Sequence, residues 1–420
     1  IKNINSSFIG NEGDATSDNL STVYGTLVKA LSKIDNVTSE FAGNKVTSNS
    51  ARINGGMLEV ATEGNIQKLN SDFLLNRVEN VSGDVEGSVI ANDGTVVSID
   101  SSKFAGNYGV SESGSVLGGA IWNNREIGEI TGSVFAGNYA QSSTGSAKGG
   151  AIYNINTIGN IENTIFTDNY ASSGSGEAQG GAIYTDSDLK ISAADGKLTE
   201  FTGNYVENGG EKENQAIYVA SDNAEITLEA TGGGHVLMND VIDGVEGYKL
   251  LLGGDGSGVI SLYNRIHNAD VVALNGAGID FADGNFLDYN FLSLNSDEGA
   301  DYSIDVNFAN GLSDTLVLGA GSSGTIYIDD INLLGNTPVS STIIQVLTAS
   351  DSISIGLTQN AIDKFYKVTQ EDTFVENDTV NATSYWDTVY QAHTMQNVTT
   401  EGIRTAIKDK DRTTADSIEY

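Results

Sequence analysis

The chain contains no cysteine, which removes disulfides, thiolate metal sites and cysteine nucleophiles from consideration. An absence of cysteine also suits a chain that crosses a membrane unfolded, because a disulfide would trap a closed loop. Proline is nearly absent as well: Pro338 stands alone among 420 residues, although glycine reaches 50. Glycine-rich collagen and disordered linkers both draw on proline, so neither class fits. Basic residues are scarce, with 21 Lys and Arg against 56 Asp and Glu and a net charge of −35. That field repels phosphate backbones and anionic membranes, which argues against nucleic acid as a partner. Its ordinary consequence is solubility, with weak divalent-cation binding as a further option. No run of 18 apolar residues occurs, so no membrane-spanning helix is encoded. No signal peptide is visible either, and the opening "IKNINSSFIGN" reads as the middle of a longer chain.

What is present is a repeat. A Phe-x-x-Asn phrase starts at Phe8, Phe41, Phe73, Phe104, Phe135, Phe166 and Phe201, and subtraction gives spacings of 33, 32, 31, 31, 31 and 35. A second phrase, GGAI, begins at Gly118, Gly149 and Gly180, with degenerate forms GGML at Gly55, GSVI at Gly87 and NQAI at Asn214. A period near 31 sustained over seven copies points to a solenoid, propeller or array. Between the two phrases lie "YGVSESGSVL", "YAQSSTGSAK" and "YASSGSGEAQ", ten residues each. Their Ser, Gly and Ala content reads as one loop per repeat, at 108–117, 139–148 and 170–179.

The rest of each copy supplies apolar positions three to five residues apart without a helical face. Three short strands per turn describe one rung of a right-handed parallel β-helix, an all-β fold. Stacking at about 4.8 Å would put Phe104, Phe135, Phe166 and Phe201 over one another inside. Asn107, Asn138, Asn169 and Asn204 would form an amide ladder at one corner. The paired glycines supply a positive φ, or a close backbone approach, where the loop rejoins the strand. A propeller blade needs four antiparallel strands, and 31 residues carrying a loop leave too little chain for one.

The alternation of FxxN with GGAI, as in "FAGNYAQSSTGSAKGGAIYN", resembles the repeats of the polymorphic outer-membrane protein family of autotransporters. The resemblance covers about residues 1–218 and implies a passenger displayed on the bacterial surface or released from it, acting as an adhesin on host protein or glycan. Residues 219–311 keep short β-like segments and read as further rungs without the decorated loop. Residues 312–350, with a turn at Asn336, are similar to the autochaperone segment that caps such passengers. A bare solenoid end would expose apolar surface and unpaired strand edges. Residues 351–420 read as a polar, partly helical linker, with no barrel strands left.

Parallel β-helices also carry sugar-cleaving enzymes, which need a carboxylate pair facing a cleft, or Ca²⁺ with a basic residue. No acid sits in a repeat-breaking cluster with Arg, Lys or His in the sequence. Asp280, Asp283 and Asp288 in "DFADGNFLD" read as turn residues. His235, His267 and His393 lack partners at metal-ligand spacing. "GGDGSG" at Gly253 resembles a single fragment of calcium-binding nonapeptide repeats, a weak pointer to Ca²⁺. No catalytic, cofactor or metal residue is assigned. The contact candidates are Tyr108, Tyr139 and Tyr170, which open the three loops. They either form a stripe that touches a partner or stack on each other to stabilise a corner. A structural subunit of a surface layer or filament, built from copies of the chain, is the alternative to adhesion, and a polysaccharide lyase or hydrolase comes third.

Overall fold

A computed structural model describes residues 1–15, 22–24, 27–307, 310–334, 342–349, 353–360, 366–374 and 382–390. It divides into two compact units. The first comprises 1–228 with 236–248, and the second 229–235 with the chain from 249 onward. Both units are parallel β-solenoid.

In the first unit the repeating coils carry five short strands, not three, until the last, from Glu225 to Gly244, which has three. A central coil runs Thr95–Asp100, Lys103–Ala105, Tyr108–Ser111, Val116–Leu117 and Ile121–Asn123. Each strand pairs in parallel with its counterpart one coil on, so that Phe104 faces Phe135, Tyr108 faces Tyr139, Val116 faces Ala147 and Ile121 faces Ile152. The phenylalanines from Phe8 to Phe201 form one column with ring centroids 4.6–4.8 Å apart and planes within 12°. From Phe41 onward they are fully buried. Each coil repeats this apolar interior, so most of the stabilisation comes from burial shared between neighbouring rungs.

The extra strands come from the stretch expected to be a flexible loop. Residues 108–111 and 116–117 are wall, and a serine corner joins them. Ser111 Oγ accepts from Gly114 N at 2.9 Å and donates to Gly83 O, one coil back, at 3.1 Å. Ser142 and Ser173 repeat the same pair of bonds. A Cβ on Gly109 would come within 2.5 Å of Ser88 Oγ and 2.8 Å of Val116 Cγ1. Its counterparts Ala140 and Ala171 are buried. Only tips such as Glu112–Ser113 and Ser143–Thr144 are exposed.

The GGAI glycines behave as expected. Gly118, Gly149 and Gly180 have φ of +78°, +66° and +66°, and a Cβ on Gly118 would lie 2.1 Å from Ile121 O. This sharp reversal makes the strands on either side of it face each other across a concave corner.

The wall narrows after the seventh phenylalanine. Tyr205–Asn208 turns back as a hairpin with Glu211–Asn214, an antiparallel pair whose outer strand is fully exposed and charged. The strand stack ending at Ala178–Gln179 is closed by side chains. Ala178 N donates to Asn208 Oδ1 at 2.7 Å, and Gly180 N donates to Gln215 Oε1 at 2.8 Å. Amide groups thereby occupy an edge that would otherwise recruit another strand.

The second unit has shorter rungs, 19 to 27 residues between paired positions. Ile260 pairs with Ile279 and Ile279 with Tyr302, Val271 with Leu294, and Tyr289 with Leu316, all in parallel. Within the segment expected to act as a cap, Ser323–Leu333 pairs in parallel with Asp301–Asn307, and Thr342–Ala349 with Thr315–Leu318. These strands therefore add to the rungs. The turn expected at Asn336 lies outside the described residues. Where a polar, partly helical tail was expected, Ser354–Leu357 stacks in parallel on Ser323–Leu333. Tyr366–Phe374 and Ala382–Tyr390 form an antiparallel pair. Residues 391–420, including His393, lie outside the described residues. No helix among the described residues is long and apolar enough to cross a membrane.

Candidate functional site

Tyr108, Tyr139, Tyr170 and Tyr205 stack as a half-buried column, with centroids 4.6, 4.6 and 4.9 Å apart. Cations sit at its two ends. Arg77 holds the same register one coil before Tyr108 and hydrogen-bonds to it. Lys212 Nζ lies 3.4 Å from the centroid of the Tyr205 ring. Burial pushes the Tyr139 hydroxyl up to about 12 and that of Tyr170 higher still, so both stay neutral. The column forms part of the wall and does not open any flexible loop. Its rings meet each other face to face and present only their edges outward.

The asparagines make the expected ladder. Asn138 Oδ1 accepts from the backbone N and the Nδ2 of Asn107, at 3.1 and 2.9 Å. Asn138 Nδ2 donates to Asn169 Oδ1 and to Phe104 O, each at 2.9 Å. Every asparagine-to-asparagine bond points toward the next coil, while the second Nδ2 hydrogen reaches back to a phenylalanine carbonyl, so the amide dipoles align and the ladder ends in donors. Asp240, which sequence reasoning missed, receives those donors. Its carboxylate accepts from Gly203 N, Asn204 N, Asn204 Nδ2 and Asn214 Nδ2 at 3.0, 2.9, 2.7 and 2.8 Å. A hydroxyl ladder through Ser71, Ser102, Ser133 and Thr164 runs in the same direction at another corner. These residues hold the coil together and are saturated by it.

A second aromatic row lies at the glycine corner, largely packed against its neighbours. Strand alternation points Ile121 and Asn123 inward and Trp122 outward. The outward position repeats as Ala91, Trp122, Tyr153, Tyr184 and Tyr218. Opposite it runs a second outward row of Asn54, Glu86, Leu117, Lys148 and Gln179. On a convex wall such side chains would be exposed, yet here Trp122 is 5% and Tyr184 8% accessible. The two rows therefore line a groove parallel to the coil axis. Lys148 Nζ reaches across to 4.8 Å from the Tyr184 ring centroid. Burial raises Tyr153, Tyr184 and Tyr218 above the ordinary tyrosine range, leaving a row of neutral hydroxyl donors. The signal was in plain sight, since GGAI is followed by Trp or Tyr in "GGAIWN", "GGAIYN", "GGAIYT" and again in "NQAIYV".

At its early end the groove turns acidic. Glu59 pairs with Lys29 at 2.8 Å and Glu86 with Arg52 at 3.1 Å, both carboxylates being nearly buried. Desolvation outweighs Arg52 and raises the Glu86 carboxyl to about 7. Asp93 joins them, accepting from Asn54 Nδ2 at 3.2 Å and from Asn124 Nδ2 at 2.7 Å. Acids and bases thus do meet where the repeat degenerates to GGML and GSVI, contrary to the sequence reading. Parallel stacking brings together residues some 30 positions apart.

The remaining candidates are structural. In the second unit Asp280 accepts from Ser261 Oγ at 3.0 Å and Tyr263 Oη at 2.6 Å, with His235 Nε2 2.8 Å from the same serine oxygen. Asp283 closes a turn onto Asn285 N at 2.7 Å, and Asp288 opens a strand. Asp255 of "GGDGSG" spends its oxygens on Ser257 and Gly232, and the Ser257 hydroxyl with these backbone donors lowers it to about 2. No group of three or more His, Asp or Glu placed to hold a metal ion occurs among the described residues.

No known protein family matches this sequence, and no curated protein matches it.

Proposed function

We propose that this solenoid is a non-enzymatic adhesin, the passenger of a bacterial autotransporter held at the outer-membrane surface or released from it. Its right-handed coils would be closed by the 312–350 segment. The carrying observation is the concave groove with its row of Trp122, Tyr153, Tyr184 and Tyr218. Tyr153 and Tyr218 in this row are half-buried, so their exposed edges and neutral hydroxyls are what a partner can reach, while the nearly buried Trp122 and Tyr184 hold them in place. The partner is a host-surface protein or glycan that lies along the groove. The Tyr108 column, sealed by Arg77 and Lys212, contributes only its edges.

The test is saturable binding of the purified chain to host cells or matrix, repeated with Tyr153→Ser and Tyr184→Ser combined. Both rings are stacked, so the melting temperature should fall; loss of binding well beyond that of Tyr139→Ser at a comparable fall supports the reading. Ordered filaments or sheets from the purified chain, without cell binding, would replace it with a structural subunit. The acidic end of the groove favours one further reading, polysaccharide cleavage. Glu86 carries a proton near neutrality beside Asp93, as a general acid requires. Release of reducing or unsaturated sugar ends, abolished by Glu86→Gln, would establish it.

A further inference from the structure

A depression forms where the first strand of the coil shortens after Thr157–Glu162. Thr157–Glu162 is six residues long and Leu189–Ala193 five. The register slips between the pairs Ile158–Leu189 and Ile161–Ile191. The same coil contains the longest Phe-to-Phe spacing, 35 residues from Phe166 to Phe201. The resulting cavity has a volume of about 480 Å³ and opens to solvent, within the range of roughly 300–1,000 Å³ typical of small-ligand sites. Its floor is backbone at Gly159, where a Cβ would strike Gly128 O at 2.3 Å. Its walls carry Asn156, Thr157, Asp188, Lys190 and Glu225. Asp188 is held in place by accepting from Glu225 N at 2.9 Å.

These walls exclude most ligand classes. Two carboxylates against one ammonium repel an anion. Two acids are too few to compete for a divalent cation, and no larger metal-binding group occurs among the described residues. An apolar ligand would strip water from amide, hydroxyl and charged groups without replacing their hydrogen bonds. What remains is a neutral compound with hydroxyls in close pairs, which donate to the carboxylates of Asp188 and Glu225, while Asn156 and Thr157 keep their bonds to each other and to Asn124 O. We infer that this depression is a subsite for a short neutral oligosaccharide. The inference rests on the adhesin reading for its biological sense, though the binding itself does not require it.

The experiment is calorimetric titration of the full chain with maltotetraose, cellotetraose and lacto-N-tetraose, using spermine and sodium sulfate as charged controls. Binding of at least one tetrasaccharide is expected. It should weaken at least about tenfold in Asp188→Asn, which keeps the acceptor for Glu225 N, and in Thr157→Trp, which fills the cavity from an exposed position. Lys103→Ala, at an exposed position outside the cavity, should leave it unchanged. Failure of all three sugars, or binding indifferent to both cavity variants, overturns the subsite. Tighter binding of spermine or sulfate than of any sugar does so as well. Cell binding that persists while sugar binding is absent would leave the adhesin reading standing and remove only this one.

Discussion

Replacing Asn138 by alanine should fracture the solenoid at its middle. The side chain accepts two bonds from Asn107 and donates one each to Asn169 and Phe104. Asn107 Nδ2 keeps Phe73 O at 2.8 Å, but the Asn107 backbone N–H loses the acceptor it had. Leaving one buried donor unmet costs about 1–3 kcal/mol, and each other lost bond a net of about 0.5–1.5 kcal/mol. Allowing for non-additivity, Asn138→Ala should cost about 3–5 kcal/mol. Because each rung touches only its neighbours, the loss should appear as a separate early transition in urea unfolding followed by circular dichroism. The polarity of the ladder sharpens the test. Asn138→Asp keeps the acceptor but sets a second oxygen against Asn169 Oδ1 and Phe104 O, so it should be worse than alanine at pH 7 and recover toward acid pH. At Asp240 the order reverses. All the bonds described there are donated to the carboxylate, so Asp240→Asn should destabilise by about 1–3 kcal/mol. A loss below about 1 kcal/mol at Asn138, or equal effects of a carboxylate at both positions, would refute the polarised-ladder argument.

The remaining expectations are simpler. Phe135→Ala removes a fully buried ring between two stacked neighbours and should cost about 3–5 kcal/mol in the same urea assay. Glu86 has its folded-state carboxyl raised to about 7 from an ordinary 4.5. The folded protein therefore holds this proton more tightly than the unfolded chain. The associated stability is present below the unfolded value and is lost as pH rises through about 7. Glu86→Gln should accordingly flatten the melting-temperature profile between pH 4.5 and 8, with its gain confined to the alkaline side, and an unchanged profile would contradict the burial argument. For cell binding, Tyr139→Ser should lower the melting temperature without lowering affinity, whereas the Tyr153 and Tyr184 pair should lower both.

The period of Phe8 through Phe201, the glycine pair and the amide spacing determined the stacked coil, because a repeat of 31 residues cannot bury its apolar face except against the next copy. Phe104 over Phe135 and Asn107 bonded to Asn138 follow from equal spacing alone. The number of strands per coil was not legible in the same way. "YGVSESGSVL" has the composition of a loop, and only its register against Arg77–Asn80, where Val78 stands opposite Gly109, makes it wall. Asp240 was equally hidden, since it lies 36 residues beyond Asn204 with no shared phrase to mark it. The groove was half visible: the aromatic residue after each GGAI is written in the chain. That it points into a concave surface, opposite Glu86 and Lys148, depends on how sharply Gly118 turns the backbone. Periodic sequence determines which residues stack, because register propagates from rung to rung. Tertiary structure decides which outward positions are buried, because that depends on the angle between strands, and local sequence does not encode it.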